Sequence, residues 1–310
     1  MLFIHRIVML MLVLTALLAM SFLVACGEKP GAVVTKTEPK ARLLIVSSTP
    51  VLHEMVSTLM EDRADTHCLL RTDEELRHGD LSAQSVLMLR AADVVFDHEA
   101  SPFPHVSKAI EAGAKAERVV RVGTRSEDAV AAKIAVQQAQ QFSLMPRDVI
   151  IMLDEVESKL VAIDAPHAAS IHQRSAQMRS SIKKLDDDLI FMIDQITPEY
   201  RMIATDDPAI ATVIRALGFK AVLIPAVSSG HPTVADREAM IAAINAGKAR
   251  ALAINARESE TMRELIADIA KATGARMIVP DLSPWPRMNE TYVAWMNANM
   301  NSIFPKPPKP

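Results

Sequence analysis

The stretch PHAASIHQRSAQMRSSIKKLDDDLIFMIDQITP, Pro166 to Pro198, decides the fold. Within it Ile171, Ser175, Met178, Ile182, Leu185, Leu189, Met192 and Ile196 recur with gaps alternating between four and three. That spacing puts all eight side chains on one stripe of an α-helix. Pro166 suits a first helical turn, where its missing N–H is not needed, and Pro198 marks the end. The helix so bounded has about 30 residues and is roughly 45 Å long, more than an ordinary crossover between strands requires. A stripe of this length serves either a dimeric coiled coil or a rigid spacer between two lobes, and the flanking sequence favours the spacer.

On both sides of it, short β-branched runs alternate with amphipathic segments, the pattern of βα units around parallel sheets. Upstream the predicted strands are Leu43 to Val46, His67 to Leu70, Val94 to Asp97 and Val119 to Val122. The helices between them are Pro50 to Met60, Ser82 to Ala91 and Pro104 to Ala112. The polar run Ser126 to Arg147 is assigned to neither class. Downstream the alternation repeats, with strands Met202 to Thr205, Val222 to Ile224, Ala251 to Ile254 and Met277 to Val279. Helices Pro208 to Leu217, Ala235 to Ala246, Glu258 to Thr273 and Glu290 to Ile303 complete the pattern. The expected fold class is α/β: two lobes with mainly parallel sheets flanked by helices, joined by one long spanning helix. The expected divisions are an N-terminal lobe at 42–154, a connecting helical segment at 155–198 and a C-terminal lobe at 199–310, whose Pro- and Lys-rich tail is expected to be disordered.

The N-terminus carries a different signal. Arg6 is followed by an uncharged apolar run from Ile7 to Ala25 that ends Leu23-Val24-Ala25-Cys26. This is the pattern of a secretory signal, 1–25, closed by a lipobox, with Cys26 as the lipid anchor. A permanent transmembrane helix is the competing reading, since about 20 apolar residues span a bilayer. The small residue before Cys26, and the lack of a charge cluster directly after it, favour cleavage. Residues 26–41 contain Pro, Gly and charge with little to bury, as a flexible tether would. The expected location is extracytoplasmic, held to a membrane through the lipid.

Composition narrows the function. The chain has 34 basic and 37 acidic residues and a net charge of −3, so no basic footprint for nucleic acid is present. With Cys26 assigned to lipid, Cys68 has no intramolecular partner and reads as a small buried hydrophobe. The 18 methionines are scattered through apolar stripes and the leader, which points to core filling and not to copper. There is no phosphate-cradling Gly-rich loop, no Gly-x-Ser-x-Gly elbow and no His-Glu-x-x-His helix, so an enzyme is not expected. Asp186-Asp187-Asp188 lies on the spacer and reads as a solvated face.

Several stretches resemble the metal-binding solute receptors of ABC importers for zinc and manganese. Leu81 to Val86 with Leu89 to Val95 is similar to that family's helix and strand after its first histidine, and Ala162-Ile163-Asp164-Ala165-Pro166 to its break into the lobe-spanning helix. Ile203-Ala204-Thr205-Asp206-Asp207 resembles its strand ending in a ligand loop, and Ile278-Val279-Pro280-Asp281 its final aspartate. The resemblance covers about Arg42 to Phe304. It implies one divalent ion, zinc or manganese, held between the lobes by His78, Asp206 and Asp281, with Asp207 as an alternative to Asp206 or a supporting group. It also implies a monomer that delivers the ion to a membrane permease.

The family's second histidine precedes a strand-like Leu-Asp. The corresponding region here, Pro146 to Asp154, supplies Arg147 or Ile150 in its place, according to register. One imidazole with two carboxylates is a harder donor set than three imidazoles, and an Arg147 turned into the cleft would favour an anionic ligand or a metal chelate. The same scaffold with an altered or lost metal site, binding a chelate or serving as an adhesin-like surface module, is therefore the second reading. His53, His98, His105, His167, His172 and His231 show no close ligand spacing.

Overall fold

The computed structural model describes residues 42–303 apart from 73–74, 77–79, 100, 102, 124–143, 226–232 and 256–259, and gives the backbone alone for 199, 254 and 276–281. The first half is β1 (Leu43–Ser47), α1 (Pro50–Met60), β2 (Ala64–Cys68), α2 (Ala83–Ala91), β3 (Val94–His98), α3 (Pro104–Gly113) and β4 (Val119–Val122). Two helices follow, α4 (Pro146–Ile163) and α5 (Ala168–Asp194). The second half repeats the first: β5 (Met202–Thr205), α6 (Pro208–Ala216), β6 (Lys220–Leu223), α7 (Val234–Gly247), β7 (Ala251–Asn255), α8 (Glu260–Thr273), β8 (Arg276–Leu282) and α9 (Tyr292–Ile303). The strands form two four-stranded sheets, ordered β2-β1-β3-β4 and β6-β5-β7-β8, and every pairing is parallel.

Why these residues fold this way is visible in the central strands. Parallel strands covered on both faces need unbroken apolar runs, and all of Val94 to His98 is buried, as are Ile45 and Val46. Helix starts are marked chemically: Ser82 accepts from the Ser85 N–H at 3.1 Å, and Thr233 and Asp236 form a capping box at the start of α7.

The spanning helix is present, with 27 residues, and its break from α4 falls at Asp164 to His167. Its buried stripe is Ile171, Ser175, Ile182, Leu185, Leu189 and Ile193, so Ile193 takes the place expected for Met192. Near its start Arg174 donates to the Leu59 carbonyl at 3.0 Å and pairs with Glu61 at 2.9 Å, which ties it to the first lobe. Near its end Ile193 packs against Gly218, its Cγ1 3.0 Å from where a Cβ there would stand, and so ties it to the second.

The region from Pro146 to Asp154 is not strand-like. Proline occupies the first turn of α4, and Val149, Met152, Leu153, Val156 and Leu160 are buried at helical spacing. Helix α4 runs back along α5. Glu157 accepts from the Ser175 hydroxyl, from His172 Nδ1 at 2.5 Å and from Arg179 at 2.8 Å, and Arg179 also binds Asp154. These bonds hold the Glu157 carboxyl below the usual range despite its partial burial. At the elbow Arg63 reaches back from the first lobe to Asp164 at 2.9 Å.

The lobes meet at the carboxyl ends of their strands. Phe103, after β3, lies against Trp285, after β8, with ring centroids 5.0 Å apart. The Tyr292 N–H at the start of α9 donates to Glu54 of α1 at 2.6 Å, and the Tyr292 hydroxyl donates to the Leu144 carbonyl at 2.7 Å. Trp285, Tyr292, Trp295 and Met296 join the same apolar core as Ile45, Phe96 and Val149.

Candidate metal centre

In a doubly wound parallel sheet, ligands collect outside the carboxyl ends of the two neighbouring strands from which the chain winds in opposite directions. The strand orders put that crevice between β1 and β3 in one sheet and between β5 and β7 in the other. Each is bridged by a side-chain hydrogen bond. Thr49, just after β1, is 2.8 Å through its hydroxyl from His98 Nε2 at the end of β3, and Asn255 at the end of β7 donates to Asp207 Oδ2, just after β5, at 2.7 Å.

The second crevice holds two of the expected site residues. Strand β5 ends at buried Thr205, and Asp206-Asp207-Pro208 then turns into α6. Asp207 caps that helix: its Oδ1 accepts from Ala209 N–H at 2.7 Å and Ile210 N–H at 3.4 Å, while Oδ2 takes the Asn255 amide. Asp206 is in a different state. Its Oδ1 is buried with no hydrogen-bond partner among the described residues. Burial, and then the charge of Asp207, push its carboxyl above the usual carboxylate range against a hydrogen bond from its own backbone. Asp281 is the penultimate residue of β8. Register between β7 and β8 shifts from Ala253↔Ile278 to Asn255↔Leu282, so β8 carries three residues, Val279, Pro280 and Asp281, opposite Ile254 alone. Pro280, which has no N–H for the ladder, falls within this irregularity. The fold thus brings Asp206 and Asp281 to one edge of one sheet, on strands separated by β7, roughly 10 Å apart at ordinary strand spacing.

His78 and Cys26 lie outside the described residues. Among the described residues no group of three or more His, Cys, Asp or Glu side chains is arranged to hold a metal ion. No described helix is long and apolar enough to cross a membrane. Arg147 is exposed at the start of α4; its Nη2 lies 3.5 Å from Met145 Sδ, and its charge acts on Asp186 of α5. Asp186 is half-buried, unlike its exposed neighbours Asp187 and Asp188, and its carboxyl is raised first by burial and then by Asp187.

Two residues at the crevices escaped sequence reasoning. His98 is buried, and burial pushes its imidazole down to about 3, so it is neutral at physiological pH. Its signal was its place at the end of a predicted strand, where spacing between histidines says nothing. Asn255 occupies the equivalent place on β7, and an uncharged amide drew no attention beside the carboxylates.

The chain is thus a two-lobed α/β solute-binding protein, a class that captures its ligand without transforming it. The family described as "ZnuA: Zinc-uptake complex component A periplasmic" matches residues 45–304, and the chain belongs to that family. Among solved structures it resembles an Mn-bound periplasmic metal binding protein from Candidatus Liberibacter asiaticus, with 13% identity, a TM-score of 0.67 and coverage of 84% of this chain and 98% of that one. The Cd-bound form of that protein matches at 13% identity and a TM-score of 0.66, covering 84% of this chain and 98% of its own. The periplasmic zinc binding protein TroA from Treponema pallidum matches at 19% identity and a TM-score of 0.67, covering 85% of this chain and 98% of its own. No curated protein matches in sequence.

Proposed function

We propose that this chain is an extracytoplasmic receptor that captures a divalent metal ion, zinc or manganese, between its lobes and delivers it to an ABC permease. The observation that carries the reading is Asp206 Oδ1, a buried carboxylate oxygen without a donor among the described residues, at the carboxyl edge of a parallel sheet. Such an oxygen is costly to desolvate unless a cation or donor meets it. Asp281 shares that edge, and His78 supplies the imidazole from the first lobe. The family and the metal-bound relatives support a divalent cation as cargo.

The division into a signal at 1–25, a lipidated tether at 26–41 beginning with Cys26, lobes at 42–154 and 199–310 and a connector at 155–198 belongs to the same proposal, as does a monomeric state. The spanning helix is fastened to both lobes, so capture proceeds by small lobe movements that order the cleft, and the permease reads the closed surface. The exposed guanidinium of Arg147, which one of the two registers, the other giving Ile150, sets where the family has a histidine, favours a second reading in which the altered site takes a metal chelate.

The test is calorimetric titration of Zn²⁺ and Mn²⁺ into the protein purified after expression from its own leader, beside His78→Ala and Asp281→Ala. Tight binding of one ion by the parent and its loss in both variants is the expected outcome. A parent that binds neither ion, but binds a chelated one, moves the assignment to the second reading. A radiolabelled acyl chain that attaches equally well to Cys26→Ser would refute the anchor.

A further inference from the structure

Asp206 and Asp207 are adjacent, and either carboxylate satisfies the family pattern, yet their surroundings are opposite. Asp207 is committed on both oxygens: two backbone N–H groups of α6 bind Oδ1, and the Asn255 amide binds Oδ2 at 2.7 Å. A carboxylate only accepts, so the amide must turn its NH₂ toward Asp207. Asp206 Oδ1 has no such donor among the described residues. Asn255 closes the crevice between β5 and β7, and on its other side it is in register with Leu282, the residue after Asp281. It therefore stands between the two acidic positions of the proposed centre.

We infer that Asn255 is a positioning residue of this centre: its amide withholds Asp207 from the cation and fixes the turn so that Asp206 is the one carboxylate this turn offers. The inference rests on the metal-binding reading and adds which of two neighbouring carboxylates ligates, and what decides it. A neutral residue that donates is what position 255 requires. An aspartate there would set two carboxylates against each other across the crevice, and an apolar residue would release Asp207 Oδ2 to compete for the ion.

The test uses Zn²⁺ and Mn²⁺ as probes on the full chain, expressed with its leader and purified, with affinities from competition against a chelating dye and folding followed by circular dichroism. Asp206→Asn is expected to lose at least about 100-fold in affinity. Asp207→Asn keeps a capping oxygen and is expected to stay within about threefold of the parent. Asn255→Ala is expected to lose about tenfold, in the range found when groups that orient a metal ligand are removed. In Asp207→Asn with Asn255→Ala that tenfold loss should largely disappear, because the carboxylate that the amide restrains is gone. A purely structural role would lower the melting temperature of Asn255→Ala and leave affinity unchanged, which overturns the inference. So does an Asp207→Asn loss as large as that of Asp206→Asn. Asn255→Ser, which keeps a short donor, serves if the alanine variant does not fold and is expected to fall between parent and alanine; parent-like affinity with Asp207→Asn inactive again overturns the inference. Parent protein that binds neither ion removes the metal reading itself, an outcome separate from unchanged affinity in the variants.

Discussion

Glu54→Gln is a sharp test of how the last helix is held to the first lobe. Glu54 is half-buried on α1, its carboxyl accepts from the backbone N–H of Tyr292 at 2.6 Å, and burial pushes that carboxyl up to about 7 against the bond. Around Tyr292 stand further acidic groups, Asp148 of α4 and Asp186 of α5, with Arg147 acting on Asp186. Because the folded state holds its proton more tightly than the unfolded chain does, Glu54 stabilises the fold below about 4.5, and that contribution is lost as pH rises through about 7. At about 1.36 kcal/mol per tenfold difference in proton affinity, the loss is roughly 3 kcal/mol at full burial and about half that once solvent access is allowed for. Glutamine keeps an acceptor for the Tyr292 N–H and cannot ionise. The variant should match the parent near pH 5 and melt roughly 3–6 °C higher at pH 8. Both of the chain's tryptophans, Trp285 and Trp295, lie in or just before α9, so their fluorescence follows this segment while circular dichroism follows the whole. Taking the difference between the two proteins cancels other carboxylates. A variant less stable than the parent at both pH values would refute the reasoning, since the charged hydrogen bond would then outweigh the burial.

Three further substitutions probe the crevices and the sheet packing. Thr49→Val removes the hydroxyl that bridges to His98 and should cost about 1–3 kcal/mol in denaturant unfolding, while parent and variant alike should lose stability as pH falls below about 6.5, because the imidazole is neutral in the fold and charges on unfolding. Gly247→Ala would put a methyl 2.5 Å from Val222 Cγ1 and should destabilise the protein by roughly 1–3 kcal/mol, readable as a lower urea midpoint, whereas the open surroundings of Gly274 limit Gly274→Ala to backbone strain of about 1 kcal/mol.

The alternation of strands and helices was legible because each period is local. The fully apolar Val94 to Phe96 and the four-three stripe of α5 announce their partners by spacing alone. Pro146 to Asp154 misled for a reason internal to the family comparison. Alignment to a strand-like Leu-Asp obscured Val149, Met152, Leu153 and Val156, whose helical spacing is as regular as that of α5. The site was less legible than the scaffold. Asp206 and Asp207 could be located but not told apart, since the difference lies in an amide 48 residues downstream and in the N–H groups of a helix start. Arg147 could not be oriented from sequence, because Asp186 faces it from a helix packed alongside.

The bond between Glu54 and Tyr292 joins residues 238 positions apart. A chain made from its N-terminus can close β1 to β4 long before its end, yet the wall of that lobe stays bare until the final dozen described residues arrive. Loss of those residues by premature termination or proteolytic trimming therefore strips the front lobe as well as the back one, leaving the Leu144 carbonyl and the Glu54 carboxyl without their seal.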